Sequence, residues 1–179
     1  MPVLEIRKFP DAVLASKASE VEQIDGRVAG LLNGMVDTMY AAKGIGLAAP
    51  QVGVLERALV VDIDPDNRGK QLIKIINPEI VESSGEITWE EGCLSVVNFT
   101  AEVQRARHVV VRGWTVDQRE IEIEAEELQA VCLQHEIDHL EGVLLTDHVS
   151  KLKRDLYRRR VKRGARGSDE APRGGTPSI

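Results

Sequence analysis

Residues 127–142 read Glu127-Leu128-Gln129-Ala130-Val131-Cys132-Leu133-Gln134-His135-Glu136-Ile137-Asp138-His139-Leu140-Glu141-Gly142. Leu128, Val131, Cys132, His135 and His139 recur at spacings of three and four, the stripe of an amphipathic helix over about 127–141. Gly142 fits the left-handed stop that closes many helices. The stripe is apolar at its start and carries imidazoles at its end, so one helix both joins the core and brings chemistry to it. His135 to His139 form an H-E-x-x-H pattern. Histidines at i and i+4 project from one face a turn apart and can share one metal ion. Glu136 stands next to the first ligand and can reach a water bound there. The competing reading is a helix that merely carries two histidines and some acids, because the pattern also arises by chance.

A catalytic metal needs a third protein ligand and one open position. Downstream positions do not supply the ligand. Gly142 would suit an extended H-E-x-x-H-x-x-G-x-x-H pattern, but Leu145 stands where its last histidine belongs, and His148 comes three residues late. A glutamate some twenty residues on is absent too, since that region reads Arg158-Arg159-Arg160-Val161-Lys162. Upstream, Glu90-Glu91-Gly92-Cys93-Leu94-Ser95 places Cys93 in a polar, glycine-containing turn after a strand, where a thiolate can be presented. A core position is the competing reading for Cys93. Cys132 lies on the apolar stripe and reads as a buried hydrophobe.

Further out, Ile24, Val28, Leu31, Leu32, Met35 and Met39 predict a first helix over about 20–42, with Gly44 as its stop. Strands are predicted at 58–63, 72–76, 86–89, 108–113 and 120–125, punctuated by Asn77-Pro78 and Ser83-Ser84-Gly85. Helices alternate poorly with these strands, which argues against a doubly wound parallel sheet. The expected fold is α+β: short, mostly antiparallel strands packed around the histidine helix, with helices toward both ends of the chain. No internal repeat is present. Gly44-Ile45-Gly46-Leu47-Ala48-Ala49-Pro50-Gln51 is a small-residue stretch that lets backbone approach a ligand closely, with Gln51 as a neutral donor. It lacks the pattern of a phosphate loop.

With 179 residues the chain suits one domain with a real core. Hydrophobic residues at 42% and charged residues at 29% exclude wholesale disorder, and no apolar run approaches the ~20 residues of a membrane span. The beginning of the chain lacks the apolar run of a secretory signal and is followed by too many acids for a transit peptide. Two cysteines are too few for a disulfide framework, so a reducing cytoplasm is expected. Aromatics at 3% argue against a stacking platform for single-stranded nucleic acid. Charge is uneven: residues 151–179 hold ten Lys/Arg and three Asp/Glu, whereas residues 1–150 hold thirteen and twenty-six. Such an arm suits a polyanion.

Taken together and in this order, three segments resemble the motifs of peptide deformylases: Gly44-Ile45-Gly46-Leu47-Ala48-Ala49-Pro50-Gln51, Glu91-Gly92-Cys93-Leu94-Ser95 and Gln134-His135-Glu136-Ile137-Asp138-His139. Weaker similarity runs from Phe9-Pro10-Asp11 past Leu140, over about 150 residues. The likeness implies an enzyme that hydrolyses the N-formyl group from the formylmethionine of nascent polypeptides and releases formate. It implies Cys93, His135 and His139 as metal ligands and Glu136 as general acid/base. Gln51 and the Leu94 N–H would face the developing oxyanion. Gly46 and Gly92 would contact substrate, and Ile45, Leu128, Val131 and Cys132 would line a methionine pocket. The family typically uses Fe(II); Zn, Ni or Co can take the same ligands. The chain departs from the family where Pro and then Arg commonly follow the cysteine motif, reading Val96-Val97-Asn98-Phe99-Thr100 instead, and it carries a bulky Trp89 near the pocket. Glu91, Arg105 and Asp138 are candidates for orienting the histidines, or for ordinary salt bridges.

The expected organisation is a catalytic body over 1–148, a basic helix over 149–163 and a flexible tail over 164–179. In 151–163, eight of thirteen residues are Lys or Arg. On composition that is a solvated helix face; by the resemblance, it is a contact to the ribosome. Neither membrane nor DNA is expected as a partner. Two other functions compete. A metallopeptidase cutting internal bonds is disfavoured by the missing downstream ligand. A ribosome-associated module with a structural metal has no use for Glu136.

Overall fold

The computed structural model describes residues 3–164; of the tail expected over 164–179, Gly164 ends a helix and the rest lies outside the described residues. The fold is α+β, as expected. In chain order its elements are α1 (Gly26–Ala41), β1 (Gly46–Ala48), β2 (Ala58–Val61), β3 (Ile73–Ser84), β4 (Ile87–Cys93), β5 (Val96–Arg105), β6 (His108–Trp114), β7 (Glu120–Glu126), α2 (Glu127–Leu140) and α3 (Lys151–Gly164). Five strands form one antiparallel sheet in the order β1-β2-β3-β6-β7, and β4 and β5 form a separate antiparallel hairpin.

The sheet is buried on both faces where it matters most. Ala58 and Val60 of β2, with Leu47 and Ile76, pack against Leu32, Met35 and Met39 of α1. Leu59 and Val61, with Ile75, Val109 and Val111, pack against Val131, Cys132, Leu133 and Leu140 of α2. Double burial explains why β2 is continuously apolar rather than alternating. At the far edge, β7 alternates Glu with Ile and Ala, turning glutamates to solvent, which protects an edge strand from further pairing.

Several boundaries move. The first helix starts at Gly26 rather than near residue 20, because the Asp25 carboxylate caps it by accepting from the Arg27 and Val28 amides. Lys43, not Gly44, adopts the left-handed conformation after it. Asn77-Pro78, expected as punctuation, lies inside the long strand β3. Asn77 has φ 50 and sits at a register shift, and its side-chain amide bonds both the N–H and the carbonyl of Val21 at 2.8 and 3.0 Å. A bulge accommodates what looked like a strand break. The strand expected at 86–89 continues to Cys93, so Cys93 ends a strand instead of occupying a loop. Strands β1 and β5 were not expected at all. The helix predicted over 127–141 is observed as α2, and Gly142 closes it with φ 74; a side chain there would meet the Ala15 carbonyl at 2.8 Å. The basic helix is α3, shifted by about two residues.

Candidate active site

Helix α2 buries His135, Glu136 and His139 along with its apolar stripe. The hairpin β4–β5 meets it through side chains and delivers Cys93 from the end of β4. The Cys93 sulfur is 3.2 Å from His139 Nε2. The ligand atoms of Cys93, His135 and His139 all lie within 4.8 Å of one another, and all three residues are buried. The thiol of Cys93 is pushed up by burial, but attraction to the His139 and His135 rings, with the His139 hydrogen bond, outweighs this and holds it well below the usual thiol range. Cys132 is pushed well above that range by burial and by Glu136 and Glu91, as suits a packed core thiol. Among the described residues, His135 Nε2 and both Glu136 oxygens are buried without a hydrogen-bond partner. Orphaned buried polar atoms are costly. One thiolate and two imidazoles that converge this closely therefore fit a divalent cation.

The outer ring is built from β4, β5 and α2 together. His135 Nδ1 donates to Glu91 Oε2 at 2.8 Å, which directs Nε2 toward the cluster. Arg105 grips the same carboxylate in bidentate fashion, at 2.7 and 2.9 Å. Its third nitrogen donates to Asp138 at 2.7 Å, and His148 donates to that same Asp138 oxygen at 2.7 Å. Burial raises the Glu91 pKa, yet Arg105 and His135 bring it below the usual carboxylate range. Of the three residues offered for orienting the histidines, Glu91 touches one directly, Arg105 braces Glu91, and Asp138 braces Arg105.

Glu136 lies against β1. A Cβ on Gly46 would overlap a Glu136 carboxylate oxygen and come within 2.9 Å of the Cys132 sulfur, so no side chain fits there. Burial pushes the Glu136 carboxyl up to about 7; His135 and His139 pull it down, while Cys93 and Glu91 push it further up. Gln51 is buried. Its side-chain Oε1 accepts from the Ala48 amide at 2.8 Å, and its Nε2 points to Ser95 Oγ at 3.3 Å and the Cys93 sulfur at 3.8 Å. Leu94 follows Cys93 directly and is half-buried, as is Gly92. Ile45, Val131 and Cys132 belong to one buried cluster, with Leu128 and Trp89 packed against it. The fold thus brings Cys93, His135 and His139 together, with Gln51 beside Cys93, Gly46 against Glu136, and Ile45, Leu128, Val131 and Cys132 in one apolar cluster. The buried partner Ser95 had no signal beyond its place in the motif. His148, dismissed as a ligand on spacing, ends up tied to Asp138.

A buried carboxyl able to hold or yield a proton near neutrality, set beside a three-ligand cluster, is the equipment of a hydrolase. Comparison with known proteins makes that class specific. The family model for polypeptide deformylase matches residues 3–155. A peptide deformylase of Thermodesulfovibrio yellowstonii is 53% identical over 162 residues, covering 90% of this chain and 98% of the relative. The crystal structure of a peptide deformylase from Legionella pneumophila superimposes with a TM-score of 0.86 at 46% identity, covering 92% of this chain and 96% of that one. One from Ehrlichia chaffeensis, in complex with actinonin, gives 0.86 at 39% identity, covering 93% and 99%. The chain belongs to the polypeptide deformylase family, and it is an enzyme of the hydrolase class.

Proposed function

We propose that this enzyme hydrolyses the N-formyl group of N-formylmethionyl nascent polypeptides and releases formate, in the cytoplasm. The observation that carries the reading is Glu136: buried, with both oxygens unpaired, beside Cys93, His135 and His139. Those three residues would hold a divalent ion, which supplies polarisation of the formyl oxygen and a lowered pKa for a bound water. Two neutral imidazoles and a thiolate leave a net charge of +1 on the site. The soft sulfur suits Fe(II), the expected native metal, as well as Zn, Ni or Co.

Each residue then has a task. Glu136 takes a proton from the attacking water and returns it to the departing amine nitrogen, so water and formamide become formate and a free amino terminus. Gln51 Nε2 and the Leu94 N–H donate to the oxyanion as it develops; one such donor is typically worth ~10²–10³ in rate. Glu91 keeps the His135 ring aimed. Ile45, Leu128, Val131 and Cys132 offer an apolar slot for the methionine side chain, and Gly46 and Gly92 let the substrate backbone approach. Formate release from a formyl-Met peptide, compared with an unformylated peptide and with internal cleavage, tests the activity. Glu136→Ala should keep its metal, measured by elemental analysis under anaerobic conditions, and lose turnover. Full turnover in that variant would overturn the base assignment.

Helix α3 is proposed to contact the ribosome. Arg158, Arg159, Lys162 and Arg163 are exposed on it, and such a cluster gives salt-sensitive affinity for a polyanion without sequence readout. Reversing those four charges should abolish co-sedimentation with ribosomes at low salt; unchanged co-sedimentation would remove the idea.

A further inference from the structure

Three consecutive residues near the start of the chain stitch together the two segments that carry Gln51 and Leu94. The Arg7 N–H donates to the Gln51 carbonyl at 2.7 Å. The Lys8 ammonium donates to the Leu94 carbonyl at 2.5 Å. The Phe9 N–H donates to the Ser95 carbonyl at 2.9 Å. Across the gap, Gln51 Nε2 meets Ser95 Oγ at 3.3 Å. The Leu94 side chain is held from the other side, filling the space over Gly44, where a Cβ would come within 2.8 Å of Leu94 Cδ1. Residues 7–9 thus act as a splint between a short 3-10 helix and a turn more than forty positions apart.

Two of the splint's bonds use backbone amides that any residue but proline supplies. The third depends on the side chain of Lys8 and is the one set by residue identity. Lys8 is exposed, and its ammonium turns back onto the Leu94 carbonyl. Lost hydration lowers the Lys8 pKa, and attraction to Cys93 offsets part of that, which puts the cation within electrostatic range of the cluster.

We propose that Lys8 is a positioning residue that pins the Leu94 turn, so that the Gln51 and Leu94 donors keep one mutual geometry. The inference rests on the deformylation reading for what those donors do. Donors aimed at charge that develops only in the transition state act on kcat rather than on KM, and small displacements weaken them steeply.

The test compares Lys8→Met and Lys8→Arg in the Ni(II)-reconstituted full chain. Two readouts apply: steady-state kinetics on a formyl-Met peptide, and amide hydrogen exchange over residues 93–96. In Lys8→Met, kcat should fall about tenfold with KM little changed, within the range expected for a misaimed donor. Exchange over 93–96 should quicken, and Lys8→Arg, which keeps a cationic donor, should restore both. A kcat equal to that of the wild type, or a loss confined to KM, would overturn the role in catalysis. Exchange unchanged in Lys8→Met would overturn the pinning itself. Absence of formate release from the wild type would sink the deformylation reading instead, and the exchange rates would still decide whether Lys8 holds the turn.

Discussion

Glu136 shows how much a single residue's setting matters. Its position beside a histidine is visible in the sequence, but its protonation is not, because that depends on burial. With its pKa raised to about 7 from the usual 4.5, the native metal-free protein holds a proton that the unfolded chain has released. Stability should therefore fall as pH rises through the window from about 4.5 to about 7, and the cost above it is about 3 kcal/mol for a shift of this size. Glu136→Gln removes the ionisation. In urea melts of chelator-treated protein, the variant should be more stable than the wild type at pH 8, with the difference shrinking toward pH 5. A difference independent of pH would show that Glu136 does not titrate in this range. Gly46 is a residue-scale result of another kind: its lack of a side chain is what leaves room for the Glu136 carboxylate.

Among the elements, the hairpin β4–β5 has the faintest signal in the sequence and carries the most. Strand β5 alternates buried Phe99, Ala101, Val103 and Arg105 with exposed Thr100, Glu102 and Gln104. A period of two is present, but small Ala101 and charged Arg105 hide it from any reading keyed to apolar side chains. Arg105 can be buried because Glu91, on the partner strand, and Asp138, on α2, receive its guanidinium. Removing one member of a buried ion pair leaves the other uncompensated, which costs about 3–5 kcal/mol. Arg105→Met should therefore destabilise the fold by that order. It should also speed metal loss to a chelator by about 10–100-fold, because Glu91 would no longer be held against His135. Calorimetry and a competition assay with a chromogenic chelator read the two effects separately. Metal retention equal to that of the wild type would mean that Glu91 needs no brace.

At the scale of the whole molecule, α3 is seated on the body. Tyr157 is buried between Phe9 and Phe99, with ring centroids at 5.5 and 4.8 Å, and its hydroxyl donates to the Val97 carbonyl at 3.1 Å. Lys153 donates to the Thr100 carbonyl at 2.9 Å, and Arg160 donates to that of Asn98. The segment Val96–Thr100, which departs from the family pattern, is thus clasped by the helix that was expected as a separate basic piece. Tyr157→Ala should cost about 3 kcal/mol and lower Tm by roughly 10 °C, as for other buried aromatics in a chain of this size. An unchanged Tm would mean that the seat contributes nothing. The sequence by itself determined the α+β class, the histidine helix with its glycine stop, and the acid that stands beside its first histidine, while Cys93 joined the two histidines only through the resemblance to peptide deformylases. These follow from helical period, local spacing and ligand chemistry, all of which act over a few residues. Tertiary structure alone decided that Cys93 ends a strand, that Glu91 and Arg105 meet at His135, that residues 7–9 bridge two distant segments, and that Glu136 is desolvated. Each of these depends on segments far apart in the chain meeting in space, and short-range periodicity carries no information about which of them will.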